Sequence, residues 1–191
     1  MVLQVDLQEK HASQSASELS EFVRMLVGQP LLQVTVSYGD ELCLHLGEPV
    51  PCSSPKMKGK VKGSYIIGTR ASKWYFSSSD WLIVSDDKPV KQSKHVKRLK
   101  ADQLKDLVSK KRGARVVSAE ARLIKRSRTA PIGFGLFLGL QDGSALAIIS
   151  VESAPGSRHI ADWEIFTPSD KYLRAWPQAR WEFAPSNIPE K

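Results

Sequence analysis

Positive charge in this chain is gathered into one stretch. Residues 91–128 hold 14 Lys or Arg against three acids, Asp102, Asp106 and Glu120, a net of +11. The whole chain of 191 residues carries +8, so everything outside that stretch sums to −3. Such concentration is the electrostatic footprint of a surface that meets phosphates or another acidic partner. The expected contacts are Lys97, Arg98, Lys110, Lys111, Arg112, Arg115, Arg122, Lys125 and Arg126. A second basic element is PKMKGKVKG, in which Lys56, Lys58, Lys60 and Lys62 alternate with Met57, Gly59 and Val61. If extended, it sets four ammonium groups on one side at roughly 6.6 Å intervals, close to the phosphate spacing of a nucleic-acid strand. An edge strand kept soluble and unpairable by lysine has the same pattern.

Single-strand binding combines such cations with exposed rings for base stacking, and Trp74, Tyr75, Phe76 and Trp81 follow shortly after the lysine ladder. Tryptophan in a β run belongs more often to the core. No RNP aromatic motif, KH-type GXXG loop, zinc finger or helix-turn-helix is legible, so the expected contact is electrostatic and not base-specific.

Metal chemistry would need Cys43 and His45, on one face of a strand, to converge with Cys52. Zinc sites use paired CxxC or HxxxH spacings and a fourth ligand, which His11, His95 and His159 do not supply, so no metal and no cofactor is expected. For catalysis there is no GxSxG elbow, P-loop, GxGxxG before a helix or HExxH. Acids do cluster at Asp162, Glu164 and Asp170 near His159, and Asp162 and Glu164 would share one strand face as in a metal-dependent nuclease. Phe166 stands where the accompanying lysine belongs, and an exposed polar face opposite Trp163 and Ile165 accounts for the same pattern.

The elements that must position these residues are mostly strands. Residues 15–28 read as an amphipathic helix, with Ser15 and Glu18 at capping-box spacing, Leu19, Phe22, Val23 and Leu26 on one face, and Gly28 as the stop. A hairpin follows, LQVTVSY then Gly39 and Asp40 then ELCLHLG, which puts Leu42, Leu44 and Leu46 on one face and Cys43 and His45 on the other. SYIIGTR and the single run 74–85 read as further strands. Residues 101–112 read as a basic helix with an apolar stripe of Leu104, Leu107 and Val108, stopped by Gly113. ARVVSAEARLIKR suits helix or strand, and the alternation of Val117, Ala119, Ala121 and Leu123 favours strand. GFGLFLGL, the turn at Asp142 and Gly143, ALAIISV, DWEIF, KYLRAW and ARWEF complete a strand-rich C-terminal third.

The expected class is α+β, mainly antiparallel β, with an N-terminal helix and a basic helical connector between two similar strand-rich halves. Residues 1–191 would form one domain, with sub-units 29–90 and 114–184 joined by the basic segment. The likeness of the halves rests on Trp74 matching Trp163, on Ser79 and Asp80 matching Ser169 and Asp170 with one residue of slippage, and on a GD hairpin matching a DG hairpin; reuse of hairpin and strand composition gives the same pattern. Composition, at 41% apolar and 25% charged, excludes disordered, collagenous and coiled-coil chains. No run approaches the roughly 18 apolar residues of a membrane span, and the start, MVLQVDLQEKH, has no leader pattern, so a cytoplasmic protein with both cysteines reduced is expected. The expected function is a non-enzymatic binding module whose basic surface engages a polyanion, nucleic acid first. A protein-interaction module of immunity or adaptor type, meeting an acidic protein, is the alternative. An enzyme of unrecognised type acting near Asp162 and Glu164 is the second.

Overall fold

A computed structural model describes residues 14–36, 41–52, 58–69, 72–79, 81–84, 97–99, 112–125, 131–150, 161–169 and 171–185. Alternating apolar residues of β-branched and aromatic type favour extended chain, and among the described residues they build twelve strands. These are β1 (Leu31–Val36), β2 (Leu42–Pro51), β3 (Val61–Gly68), β4 (Lys73–Ser77), β5 (Trp81–Val84) and β6 (Lys97–Leu99). The rest are β7 (Val116–Lys125), β8 (Pro131–Leu140), β9 (Ala145–Ile149), β10 (Trp163–Phe166), β11 (Lys171–Trp176) and β12 (Arg180–Pro185).

Two six-stranded sheets result, of order β1-β2-β3-β10-β11-β12 and β6-β5-β4-β9-β8-β7. Their described pairings are antiparallel except β5–β6, which is parallel. Each sheet therefore takes three strands from the first half of the chain and three from the second. Shifting each strand number of the first sheet by six gives the strand order of the second, read from its β7 edge, although β11–β12 is antiparallel where β5–β6 is parallel. Under that relation Trp74 on β4 and Trp163 on β10 lie on corresponding strands, and both are fully buried.

The inward faces share one core. Leu31, Leu44, Leu46, Ile67, Ile165 and Leu173 of the first sheet meet Trp74, Phe76, Leu136, Leu138 and Ile148 of the second. Burial of this apolar surface is the main force holding the sheets together. A helix over residues 14–23, α1, adds Leu19 and Val23, and a 3-10 turn (Arg24–Leu26) adds Leu26. Gly28, at φ +85°, takes the left-handed conformation that ends the helical run. Beyond it, the Gly28 amide donates to Val116 O at 2.8 Å and the Val116 amide to Gln29 O at 3.0 Å, fastening the entry of β1 to β7.

Several expectations change. Gln14 is already helical, so Ser15 lies inside α1 and is no cap; its hydroxyl accepts from Trp181 Nε1 at 2.7 Å instead. The helix is also shorter than 15–28. The run 74–85 is two strands, because the chain turns between Ser77 and Trp81. On β7 a bulge between Val116 and Ser118 buries Val116 and leaves Val117 56% exposed, after which Ala119 and Ala121 face inward as alternation requires. β6 carried no legible strand signal. The expected basic helix at 101–112 falls, but for Arg112, outside the described residues. Among those residues no helix is long and apolar enough to cross a membrane.

Candidate functional site

The basic residues that the structure describes stand in separate places. Lys97 and Arg98 lie on β6, which is one edge of the second sheet, whereas Arg115, Arg122 and Lys125 lie on or beside β7, the opposite edge. Four strands intervene, a separation of about 24 Å across the sheet. Arg112 is exposed in the turn before β7. Arg115 is exposed too, but its Nη1 donates to Gly28 O at 2.7 Å and so reinforces the β1–β7 junction. Arg122 Nη2 lies 2.7 Å from Glu120 Oε2, and its guanidinium sits 4.8 Å from the Phe137 ring centroid. The hydrogen bond from Arg122 lowers the Glu120 carboxyl below its ordinary value, an exposed pairing of little energetic weight. Lys56, Lys110, Lys111 and Arg126 lie outside the described residues.

The lysine ladder is not one extended strand. Lys58 and Lys60 are exposed around a turn at 58–59, and only Lys62 lies on β3, opposite Val50 on the first sheet. Of the rings considered for stacking, Trp74 and Phe76 are core residues and Tyr75 is half-buried. Trp81 opens β5.

Cys43 and Cys52 are thiols, but they stand near the start and just past the end of β2, roughly 25–30 Å apart by strand rise. His45 points its Nδ1 at two donors, the Gly63 amide at 3.2 Å and Gln33 Nε2 at 3.2 Å, which leaves the ring proton on Nε2. Burial, and then Lys62, lower its pKa. Among the described residues no three His, Cys, Asp or Glu group as metal ligands do.

The acids differ most from expectation, because they are not on an exposed face. Glu164 is 3% exposed and Asp162 0%. Glu164 lies directly across from Arg174, which lies across from Glu182, and Arg174 reaches both carboxylates, at 3.4 and 3.6 Å. The Arg174 guanidinium also covers the Tyr172 ring at 4.5 Å. This row on the first sheet's outer face satisfies Glu164. His159 and Asp170 lie outside the described residues.

Asp162 has no such partner among the described residues. It occupies the bend before β10, and both its carboxyl oxygens are buried without a hydrogen bond among the described residues. Burial raises its pKa to about 6. The Ser150 hydroxyl would lower it by donating, yet that hydroxyl's one proton goes to Phe134 O at 2.6 Å. The same carbonyl accepts from Trp163 Nε1 at 2.7 Å, and Asp162 O accepts from Ser72 Oγ at 2.7 Å. Space for the carboxyl exists because β8 carries glycine here: a Cβ on Gly133 would stand 2.7 Å from both Asp162 Oδ2 and Ser150 Oγ. Sequence reading singled out Asp162 but missed Ser72, Gly133 and Ser150. The GFG of β8 was the available signal of a close approach. Comparison with family models, with curated proteins and with solved structures gives no match for this chain.

Proposed function

We propose that the chain is a non-enzymatic binding module whose basic segment, 91–128, engages a polyanion, nucleic acid first, through phosphate contacts. The charge distribution carries this reading: +11 in that segment against −3 elsewhere. Arg115 and Arg122 already have intramolecular partners, so the binding charge is assigned chiefly to Lys97, Arg98, Lys110, Lys111, Arg112, Lys125 and Arg126, with Lys56, Lys58, Lys60 and Lys62 secondary. Anisotropy of a labelled single-stranded oligonucleotide tests it. Binding should be tight at low salt, indifferent to sequence, and weaken steeply as salt rises. Absence of binding to single-stranded or duplex DNA or RNA at low salt overturns the reading and leaves an acidic protein partner in its place.

We also infer that the two halves are related copies. Three correspondences support this: the strand order that recurs after six strands, the paired Trp74 and Trp163, and the position of Ser79 with Asp80 between β4 and β5 just as Ser169 with Asp170 falls between β10 and β11. The GD and DG hairpins do not join the set, since one lies between β1 and β2 and the other between β8 and β9.

A further inference from the structure

Asp162 stands at the place where the two sheets are pinned together. The Trp163 indole of β10, in the first sheet, and the Ser150 hydroxyl beyond β9, in the second, converge on the carbonyl of Phe134. The Asp162 main chain is held on either side, its amide donating to Ala175 O at 2.7 Å and its carbonyl accepting from Ser72. The side chain is thus confined over the bare Cα of Gly133 beside Ser150 Oγ, with neither carboxyl oxygen hydrogen-bonded among the described residues. A buried ionised carboxylate without a donor is among the costliest arrangements in a protein interior. A neutral carboxyl in the same place has a proton to give, and Ser150 Oγ, whose own proton is spent on Phe134 O, has a lone pair to receive it.

We propose that Asp162 is a proton-operated latch between the sheets. In the neutral state a chain of hydrogen bonds runs from the carboxyl to Ser150 Oγ and on to Phe134 O, locking the junction. Ionisation leaves the carboxylate facing oxygen lone pairs and weakens it. Among the described residues no charge on the packed elements opposes or assists this step. β8 presents Gly133 and Phe134, β9 leads to Ser150, the entry to β4 presents Ser72, and β11 presents Ala175. Lys73 follows Ser72 and alternation turns it to the other side of β4. Glu164 and Arg174 are engaged with each other. The latch does not rest on the polyanion reading.

The test is a carboxyl-carbon NMR titration of the full-length protein, with the Asp162 signal identified by its loss in Asp162→Asn. A midpoint near 6 is expected; a midpoint in the ordinary aspartate range, below about 4.5, overturns the proposal. Ser150→Ala separates a latch from burial alone. Loss of the acceptor should lower the midpoint, whereas a rise would mean that Ser150 donates to the carboxylate, contrary to the proposal. Thermal unfolding supplies the functional readout. The excess of the wild-type midpoint temperature over that of Asp162→Asn should shrink by about 3–5 °C from pH 5 to pH 7.5, a difference in which the opposite contribution of His45 cancels, and an unchanged excess would contradict the latch.

Discussion

Asp162 and His45 are the two described side chains whose burial pulls most plainly against their charge, and they make stability depend on pH in opposite directions. Folding raises the Asp162 pKa from 3.8 to about 6. The folded chain therefore binds this proton more tightly than the unfolded one; stability from this group is fullest below 3.8 and is lost as the pH rises to about 6. The whole difference is about 3 kcal/mol, a large share of a normal folding free energy. His45 is lowered by burial and by Lys62, so the unfolded chain holds its proton more tightly and acidification below 6.5 destabilises the fold through it. Denaturant unfolding of Asp162→Asn and His45→Gln across pH 4.5–8 should separate the two: the first variant loses stability only as acid is added, and the second only as acid is removed. Gly133→Ala is a sharper steric probe, since its Cβ would stand 2.7 Å from Asp162 Oδ2 and Ser150 Oγ. It should cost about 1–3 kcal/mol in urea denaturation, and a neutral outcome would show that the junction is loosely packed.

At the level of elements, α1 and the 3-10 turn after it seal the core with Leu19, Val23 and Leu26, all at 0% exposure, while Phe22 stays 38% exposed against Trp181 and Phe183 of β12. Leu19→Ala or Leu26→Ala should therefore cost about 2–5 kcal/mol by urea denaturation, and Phe22→Ala clearly less. Equal costs would contradict this placement of the helix. The amphipathic spacing made this helix legible, and period-two alternation made β1, β2 and β7–β12 legible, because both patterns record which side of an element meets the core. Three things were hidden for physical reasons. Ser15 had capping spacing, but the chain ahead of it already continues the helix. The β7 bulge shifts parity at Val116, which composition does not reveal. Asp162 and Glu164 read as a polar surface because single-strand alternation cannot show that Arg174 or Gly133 lies across the sheet from them or on the other sheet.

The whole molecule interleaves its halves: β1–β3 join β10–β12 in one sheet and β4–β6 join β7–β9 in the other. Neither half owns a complete sheet, so fragments 1–105 and 106–191 should each be unfolded or aggregated alone. Co-expressed, they should assemble into a complex with native-like β circular dichroism; one fragment folding independently would contradict the interleaving. The same architecture places β6 and β7 at opposite sheet edges, so the basic segment that runs from one to the other has its two ends about 24 Å apart across the sheet. Charges so spread act by number, each exposed one contributing little and being screened within about 8 Å at physiological salt. The central claim is that this segment binds phosphates, and the most direct measurement is the salt dependence of oligonucleotide affinity for the wild type and for a variant with Lys110→Gln, Lys111→Gln and Arg112→Gln together. With one single-strand phosphate contact per residue at a slope of about −0.7 each, the variant should bind all sequences more weakly and its log–log slope should be shallower by roughly 2. Identical affinities and slopes for the two proteins would contradict the claim, placing any phosphate binding elsewhere, with Lys56 to Lys62 the next surface to replace.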